Sequence, residues 1–514
     1  MEASTSLQRN VDSFKNYLLN IWGNEKPLCK LFSTEKNNYL YDTGTNKIVK
    51  CENPEFELLN DLMIMDINDA VNKFSSNHSD PISIKTFSSL EQAIEKENIL
   101  KLTKIEGFKI IDHIDSVIDK VNNYLGMIQL ELTENCNLRC GYCIYNDFYK
   151  EKRNYANVDM TEEIAKKAID YLKNHSEKKD MVGISFYGGE PLLKYGLMKK
   201  VVDYAKEQIN KEITFAITTN GTLINDNIAS FLSSENFSVL VSLDGPEDIH
   251  DAWRKDIKKR GSFQRTLRGL CKLHKSFENK LQKLGLSMVY APPFSREKME
   301  RIANFIILND CIPDDIRINI TYPQMGSIPS DYNHNNSLYD NSLIEWIKEE
   351  YYKNYINYKE LNPIAKVMDK SLAILLKRPV SDVPMKKIPL NGCCIPGERK
   401  LYINAGGEIE LCERVNKAPK LGNIYDGLNF DVIREIYLHE YAEKSIKDCS
   451  KCWMARLCNL CYQHTFTNEE INIEKKKKYC NSVKNSKLEE LKFYCSLLER
   501  GKTSLNYLYE MELS

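Results

Sequence analysis

The 514-residue sequence has no excess of charge of either sign, with 71 Lys and Arg against 72 Asp and Glu. Sustained phosphate binding needs a Lys/Arg surplus, so a general nucleic-acid binder is excluded and no nucleic-acid partner is expected. No stretch approaches the ~18 apolar residues of a membrane helix, and the first fifteen residues lack the apolar core of a secretion signal. No membrane partner is expected, and the expected location is the cytoplasm. Internal repeats and long low-complexity tracts are also missing. With 42% hydrophobic and 28% charged residues, wholesale disorder is excluded. At roughly 100–200 residues per domain, the length predicts about two to four domains.

What the chain does have is cysteine, 16 in all. In a reducing compartment disulfides explain that number poorly, and metal, cluster or redox chemistry explains it better. Cys136, Cys140 and Cys143 fall within eight residues, and eight more run from Cys393 to Cys480. Thiols grouped at two- and three-residue spacings are what metal sites require. Cys29, Cys51, Cys271, Cys311 and Cys495 are scattered in apolar or helical surroundings and read as small buried hydrophobes.

Hydrophobic periodicity divides the chain. Residues 7–22 predict an amphipathic helix, with Val11, Phe14, Leu18 and Ile21 at helical spacing. Two β-runs around an Asp42–Asn46 turn predict a hairpin over 38–50, and helices follow at about 54–75 and 88–101. From 126 to 325, six short apolar strands (127–132, 182–187, 213–218, 238–243, 284–290, 316–321) alternate with helices near 161–175, 196–210, 225–234, 262–278 and 295–308. Thr161 is a good N-cap for the first of these. This is an α/β pattern of parallel strands joined by right-handed crossovers, whose sites collect at the C-terminal strand ends. A polar loop is expected over 326–345 and helices over 342–378. The Lys475–Lys478 run reads as a solvated loop, and a final helical stretch covers about 483–512. The expected divisions are 1–110, 111–330, 331–385 (bridging helices), 386–485 (Cys-rich) and 486–514 (C-terminal helix).

The segment Cys136-Asn-Leu-Arg-Cys140-Gly-Tyr-Cys143 directly follows the first barrel strand. A C-x3-C-x2-C loop supplies three thiolates for one [4Fe–4S] cube and leaves an iron open to a reactant. A zinc site completed from elsewhere competes on spacing alone. Further strand ends carry Tyr187-Gly-Gly-Glu-Pro191, Thr218-Thr-Asn-Gly-Thr222 and Ser242-Leu-Asp-Gly-Pro246, followed by Arg254. Together these resemble the radical S-adenosylmethionine (SAM) enzymes over about 125–325, with Tyr142 matching the family's aromatic preference. The resemblance implies a partial (β/α)6 barrel in which Gly188 and Gly189 let backbone approach SAM while Glu190 faces its ammonium. By the same resemblance Thr219, Asn220 and Asp244 belong to motifs of that pocket, Ser242 touches the ribose, and Arg254 pairs with the SAM carboxylate. The implied chemistry is cleavage of SAM to a 5′-deoxyadenosyl radical that takes hydrogen from an unactivated C–H bond. An external electron donor of the flavodoxin or ferredoxin type is implied with it. No proton-accepting base in the barrel is evident.

The later spacing reads Cys394-x12-Gly407-x4-Cys412, then Cys449-x2-Cys452-x5-Cys458-x2-Cys461, then Cys480. It resembles the SPASM extension of radical SAM peptide maturases, although two residues rather than three separate Cys458 from Cys461. The resemblance implies one auxiliary [4Fe–4S] cluster at Cys394, Cys412 and Cys461 and another at Cys449, Cys452, Cys458 and Cys480, for three clusters in the chain. Filling both needs eight thiolates, hence both Cys393 and Cys394, and vicinal residues seldom reach two irons of one cube. One open iron is therefore expected, suited to a substrate thiolate. A zinc ribbon is the alternative.

The N-terminal module resembles winged-helix-like domains that grip a leader peptide by β-augmentation; a packing cap for the barrel is the alternative. The stretch from Cys394 to Tyr402, continuing through Cys412 to Val415, resembles maturases that form thioether crosslinks in Cys-rich peptides, as in sactipeptides and ranthipeptides. The expected partner is a Cys-rich precursor peptide with a leader. Formylglycine-type sulfatase maturation or carbon–carbon crosslinking is the competing reaction, and a non-catalytic zinc-stabilised peptide scaffold the competing class.

Overall fold

The computed structural model describes residues 2–110, 114–146, 155, 157–324, 326–328, 342–354, 360–390, 392–415 and 417–511. Helix α1 (Glu2–Trp22) buries Val11, Phe14, Leu18 and Trp22 along one side. Strands β1 (Cys29–Ser33), β2 (Asn38–Asp42) and β3 (Ile48–Cys51) form an antiparallel sheet in that order. The turn between β2 and β3 is held by the Asp42 carboxylate, which accepts from the Thr45 amide and hydroxyl, both at 2.7 Å. Strand β1 has no alternating pattern of its own and was absent from the expected hairpin. Helices α2 (Asn53–Ile64), α3 (Ile67–Asn77) and α4 (Asp80–Glu97) follow. The single helix expected over 54–75 breaks at Met65, because the Asp66 side chain accepts from the Asn68 amide at 2.7 Å and caps a new one. Phe14 of α1 stacks on Phe87 of α4 at 4.6 Å, closing a separate small core.

After β4 (Gly107–Phe108) and α5 (Ile114–Asn123) comes the expected alternation: β5 (Met127–Thr133), α6 (Glu162–Asn174), β6 (Met181–Gly188), α7 (Tyr195–Gln208), β7 (Glu212–Thr219), α8 (Asp226–Ser234), β8 (Ser238–Ser242), α9 (Glu247–Trp253), α10 (Phe263–Ser276), β9 (Leu284–Val289), α11 (Arg296–Leu308) and β10 (Arg317–Thr321). The six strands are parallel and lie in spatial order β10-β9-β8-β7-β6-β5. Thr161 caps α6 by accepting from the Ile164 amide. Side chains alternate between faces with period two, and the register puts Ile128, Leu130, Leu132, Ile184, Phe186, Ile217, Val239, Val241 and Leu286 on one face, all buried. Burial of each such side chain contributes ~1.5–3 kcal/mol relative to exposure. The opposite face carries Gln129, Glu131, Thr133, Ser185, Tyr187, Thr218, Ser242 and Ser287. A sheet this polar on one side is built to face a ligand rather than a second hydrophobic layer.

The sheet does not end with the barrel. Beyond α12 (Ser342–Asn354), α13 (Asp369–Leu376) and β11 (Lys387–Ile388), strand β12 (Lys400–Ile403) pairs parallel to β5. Strands β13 (Glu408–Glu410), β14 (Gly422–Asn423) and β15 (Gly427–Leu428) extend it to ten strands, so part of the Cys-rich region shares the barrel's sheet. A π-wound segment, Val432–Glu440, leads into α14 (Tyr441–Cys449). The short pair β16 (Phe466–Thr467) and β17 (Glu470–Ile471) precedes α15 (Ile473–Arg500).

Two expectations are corrected here. Lys475–Lys478 is not a loop but lies in the first turns of α15, where Asn472 caps the helix and Lys476 is buried. The same helix runs through the boundary expected near residue 485. Cys271 and Cys311 are not separate buried hydrophobes: they form a disulfide joining α10 to the segment before β10, with Cα atoms 4.7 Å apart. Cys51 and Cys495 are buried and unpaired, as expected. Most of the loop expected over 326–345, from 329 to 341, lies outside the described residues. The N-terminal module is tied to the rest of the chain by Thr34, Asn37 and Tyr39, which all donate to Glu499 of α15 at 2.7–2.8 Å. Among the described residues no helix is long and apolar enough to cross a membrane.

Candidate active site

The cysteine loop leaves the C-terminal end of β5 and is bolted to two neighbours. On one side are Gly188 and Gly189, at the end of β6. A Cβ on Gly188 would stand 2.3 Å from the Thr133 carbonyl oxygen, and one on Gly189 would stand 2.2 Å from that of Asn135. The Gly189 amide donates to Thr133 O at 2.8 Å and the Glu190 amide to Asn135 O at 2.9 Å. The two glycines thus admit the backbone of the cysteine loop, a contact that the sequence did not show. On the other side, the Arg139 and Gly141 amides donate to the carbonyls of Lys255 and Trp253 at 2.7 and 2.9 Å.

Cys136 accepts from the Leu138 amide at 3.4 Å and faces the Asn220 amide group at 3.9 Å. Asn220 is itself set by Asn137 at 2.8 Å. Tyr155 is in hydrogen-bonding contact with Cys143, and its ring centre lies 4.0 Å from the Arg139 guanidinium. Burial pushes the Cys136 thiol well up, with the Glu190 charge adding to it; burial takes Cys140 to about 12 against the pull of Arg254. Uncharged thiols are the resting state of such a pocket, and a bound metal cluster reverses it by holding thiolates.

Glu190 is 1% exposed. It accepts from the Thr219 hydroxyl at 2.7 Å, the Asn220 amide at 2.8 Å and the Leu192 amide at 3.1 Å. Burial raises its pKa to about 7 against those three donors. No Lys, Arg or His pairs with it among the described residues, so a buried carboxylate is left facing the site without a counter-cation. A ligand ammonium fits that position.

Across the site, Tyr142 donates to Asp244, and Arg254 grips the same carboxylate through Nε at 2.9 Å and Nη2 at 3.2 Å. All three side chains are buried. Burial works against the Asp244 carboxylate, yet Arg254 and His250 hold it below its usual range. His250 is pushed down to about 4, chiefly by burial, and is neutral at pH 7. The guanidinium that the family resemblance assigns to a ligand carboxylate pairs in this structure with Asp244. Ser242 is half-buried at the end of β8.

The second set of thiols also converges. Cys449, Cys452, Cys458 and Cys480 line one cavity of about 320 Å³ with Lys476 and Phe108. Burial raises Cys449 to about 11. Cys412 interacts electrostatically with Cys461, and Cys461 with Cys394; Cys394 is exposed. The turn carrying the vicinal pair presses on the last C-x2-C, since a Cβ on Gly392 would stand 2.4 Å from the Leu460 carbonyl oxygen. That contact puts Cys393 within electrostatic reach of both Cys458 and Cys461 and in hydrogen-bonding contact with Tyr441. No three described His, Cys, Asp or Glu side chains close on a point as a single metal ion requires.

Sequence reasoning missed three participants. Glu131, fully buried, accepts from the Tyr145 hydroxyl at 2.8 Å and the Ala405 amide at 3.2 Å. Gln129 beside it is buried with its side-chain oxygen unbonded. The polar–apolar alternation of β5, Ile128-Gln-Leu-Glu-Leu-Thr133, carries that signal. Lys476 is the third, and its spacing to Cys480 on one helix face is the clue.

The model of the radical SAM superfamily matches residues 130–306. An uncharacterised protein of Methanocaldococcus jannaschii is 31% identical over 299 residues, spanning 58% of this chain and 88% of that one. A cysteine-type anaerobic sulfatase-maturating enzyme of Clostridium novyi is 26% identical over 365 residues, spanning 68% of this chain and 89% of its own. Among solved structures, anSMEcpe with bound AdoMet superposes with a TM-score of 0.57 at 22% identity, over 75% of this chain and 97% of that one. That last likeness is one of fold.

Proposed function

The chain belongs to the radical SAM superfamily, and from that premise we propose that it installs sulfur-to-carbon thioether crosslinks in a Cys-rich precursor peptide held by its leader. A [4Fe–4S] cluster and SAM, when bound, supply one-electron cleavage of SAM and hydrogen abstraction from carbon. Cys136, Cys140 and Cys143 would hold that cluster, with Leu138 and Asn220 directing donors at the Cys136 sulfur. Glu190, aligned by Thr219, would take the ammonium of SAM. Tyr142 and Asp244 hold Arg254 rigidly beside Cys140, which fixes the far wall of the site. The polar face bearing Gln129, Glu131 and Tyr187 would meet the peptide.

Two auxiliary clusters belong to the proposal, one in the cavity of Cys449, Cys452, Cys458 and Cys480 and one at Cys394, Cys412 and Cys461. The exposure of Cys394 supports the second as the place where a substrate thiolate docks. Cys393, half-buried and in contact with Tyr441, is then a hydrogen-bonding neighbour rather than a docking position. An external electron donor of the flavodoxin or ferredoxin type completes the proposed system.

The observation that carries the reading is strand β3. It pairs only with β2 among the described residues, so its outer edge is open to a further strand. Beside that edge lies a cavity of about 270 Å³ lined by Leu40, Val49, Leu59, Leu90, Ala93 and Ile94, among others, suited to an apolar side chain of an added strand. Ala93→Trp fills that cavity. A fluorescent leader peptide should bind the variant roughly tenfold or more weakly by anisotropy, with the melting temperature preserved; unchanged affinity refutes leader capture there.

The sulfatase-maturating relative favours a second reading, oxidation of a Cys or Ser to formylglycine. The fate of sulfur separates the two. A thioether retains it while removing an alkylatable thiol, whereas formylglycine formation from Cys expels it.

A further inference from the structure

The first turns of α15 place a lysine where a lysine is costly. Lys476 is 5% exposed. Its ammonium donates to the Tyr441 hydroxyl at 2.7 Å and to Ser445 Oγ at 3.1 Å, and it lies 4.5 Å from the centre of the Tyr441 ring. No carboxylate pairs with it among the described residues, although its neighbour Lys477 has both Glu474 and Asp448. A buried ammonium held by hydroxyls alone lacks its counter-charge.

Lys476 lines the same cavity as Cys449, Cys452, Cys458 and Cys480. Asp448 lines the same cavity but is engaged by Lys477 at 3.2 Å, and the remaining groups there that can carry negative charge are thiols. Cys480 lies one helical turn further along α15, on the same face, and its thiol donates to the Lys476 carbonyl at 3.5 Å. The charge of Lys476 opposes the effect of burial on Cys449, Cys458, Cys480 and Cys393, favouring thiolate at each. The π-wound segment before α14 helps to set this arrangement, because it delivers Tyr441 and Ser445 to the ammonium.

From this juxtaposition we infer that Lys476 is the built-in counter-charge of the auxiliary cluster at Cys449, Cys452, Cys458 and Cys480, and that it makes this cluster easier to reduce. The inference rests on the cluster assignment proposed above. A cube held by four thiolates is already anionic, and one-electron reduction adds a negative charge while forming and breaking no bond. A buried cation therefore stabilises the reduced form more than the oxidised form, and the low local dielectric enlarges that difference. Thioether formation takes one hydrogen atom from carbon and a proton from sulfur, which leaves one electron to be accepted. A cluster held there and biased toward reduction by Lys476 would be suited to receive it. Lys476 is in these terms a positioning residue acting through the cluster.

The test is an EPR-monitored redox titration of the full chain, reconstituted anaerobically and reduced stepwise with dithionite, with iron and sulfide measured on each sample. Cys480→Ala identifies which signal belongs to this cluster. Lys476→Met and Lys476→Gln should shift its midpoint to lower potential and leave the other signals in place; Gln keeps a donor for Tyr441 and Ser445 without the charge. Lys476→Arg should return the midpoint toward the wild-type value. If the neutral variants instead lose this cluster's iron while Arg retains it, the counter-charge role stands in assembly. Unmoved midpoints at full iron content, or loss in Arg equal to that in Met and Gln, would overturn it. Wild-type protein with iron for only one cluster per chain would overturn the cluster assignment itself, an outcome distinct from unmoved potentials.

Discussion

Protonation of Glu190 should govern the affinity for SAM. The carboxyl is 1% exposed and accepts three hydrogen bonds, yet burial outweighs them and lifts its pKa from 4.5 to about 7. A rise of that size corresponds to roughly 3 kcal/mol against the ionised form. Its sign for stability is fixed by linkage. Below the unfolded pKa both states carry the proton and nothing is lost; as pH rises toward 7 the unfolded chain ionises first, so the ligand-free protein loses stability, and above 7 the full cost is present. An ammonium placed against Glu190 reverses the balance by favouring the carboxylate, so binding below pH 7 must release a proton. Affinity for SAM should then rise by up to about tenfold per pH unit up to roughly 7 and level off above it. Isothermal titration of the anaerobic, cluster-loaded protein from about pH 6 to about pH 8, in two buffers of unlike ionisation enthalpy, reads both the slope and the proton. Glu190→Gln should bind more weakly and with a flat profile. A flat wild-type profile without proton release, or an unchanged slope in Glu190→Gln, would refute the assignment of Glu190 to the ammonium.

Two further perturbations probe how the site is held. Gly189→Ala drives a Cβ to within 2.2 Å of the Asn135 carbonyl oxygen and 2.5 Å of its carbon, both backbone atoms that cannot swing aside. It should cost about 3 kcal/mol in urea denaturation and lower the iron bound at Cys136, Cys140 and Cys143; a variant with wild-type stability and iron would show that the loop does not depend on this contact. Replacing Cys271 and Cys311 by Ser opens a loop with a sequence separation of 40. Chain entropy predicts a loss of about 4 kcal/mol, readable as a lower denaturation midpoint, and no change on adding reductant to the wild type would contradict the bond.

Much of this architecture is legible because its signals are periodic. The six barrel strands and their helices lie within a few residues of the positions expected from apolar runs, since each strand buries a continuous hydrophobic face. The three thiols of the first loop are legible from spacing alone. What escaped was short or conditional on tertiary contact. Strands β12 to β15 span two to four residues each, too few for any alternation to register, and exist because β12 finds the free edge of β5. Strand β1 depends in the same way on β2. In Lys475–Lys478, four like charges suggest a solvated surface, yet the helical period turns only Lys476 inward, and no local property distinguishes it from its neighbours. The Cys271–Cys311 bond joins residues whose proximity is created by α10 and the segment before β10. The Gly-Gly-Glu motif was legible as a motif, but the packing of its glycines on the cysteine loop depends on tertiary contact and was not.

Thioether formation is read most directly by mass spectrometry of a Cys-rich precursor peptide. The peptide would be incubated anaerobically with the cluster-loaded protein, SAM and a reductant, then alkylated. The expected product has lost two hydrogens per crosslink, keeps every sulfur and has one alkylatable thiol fewer for each crosslink, whereas Cys136→Ala should leave the peptide unmodified. A peptide left unmodified while SAM is consumed, or one that loses sulfur, would contradict it.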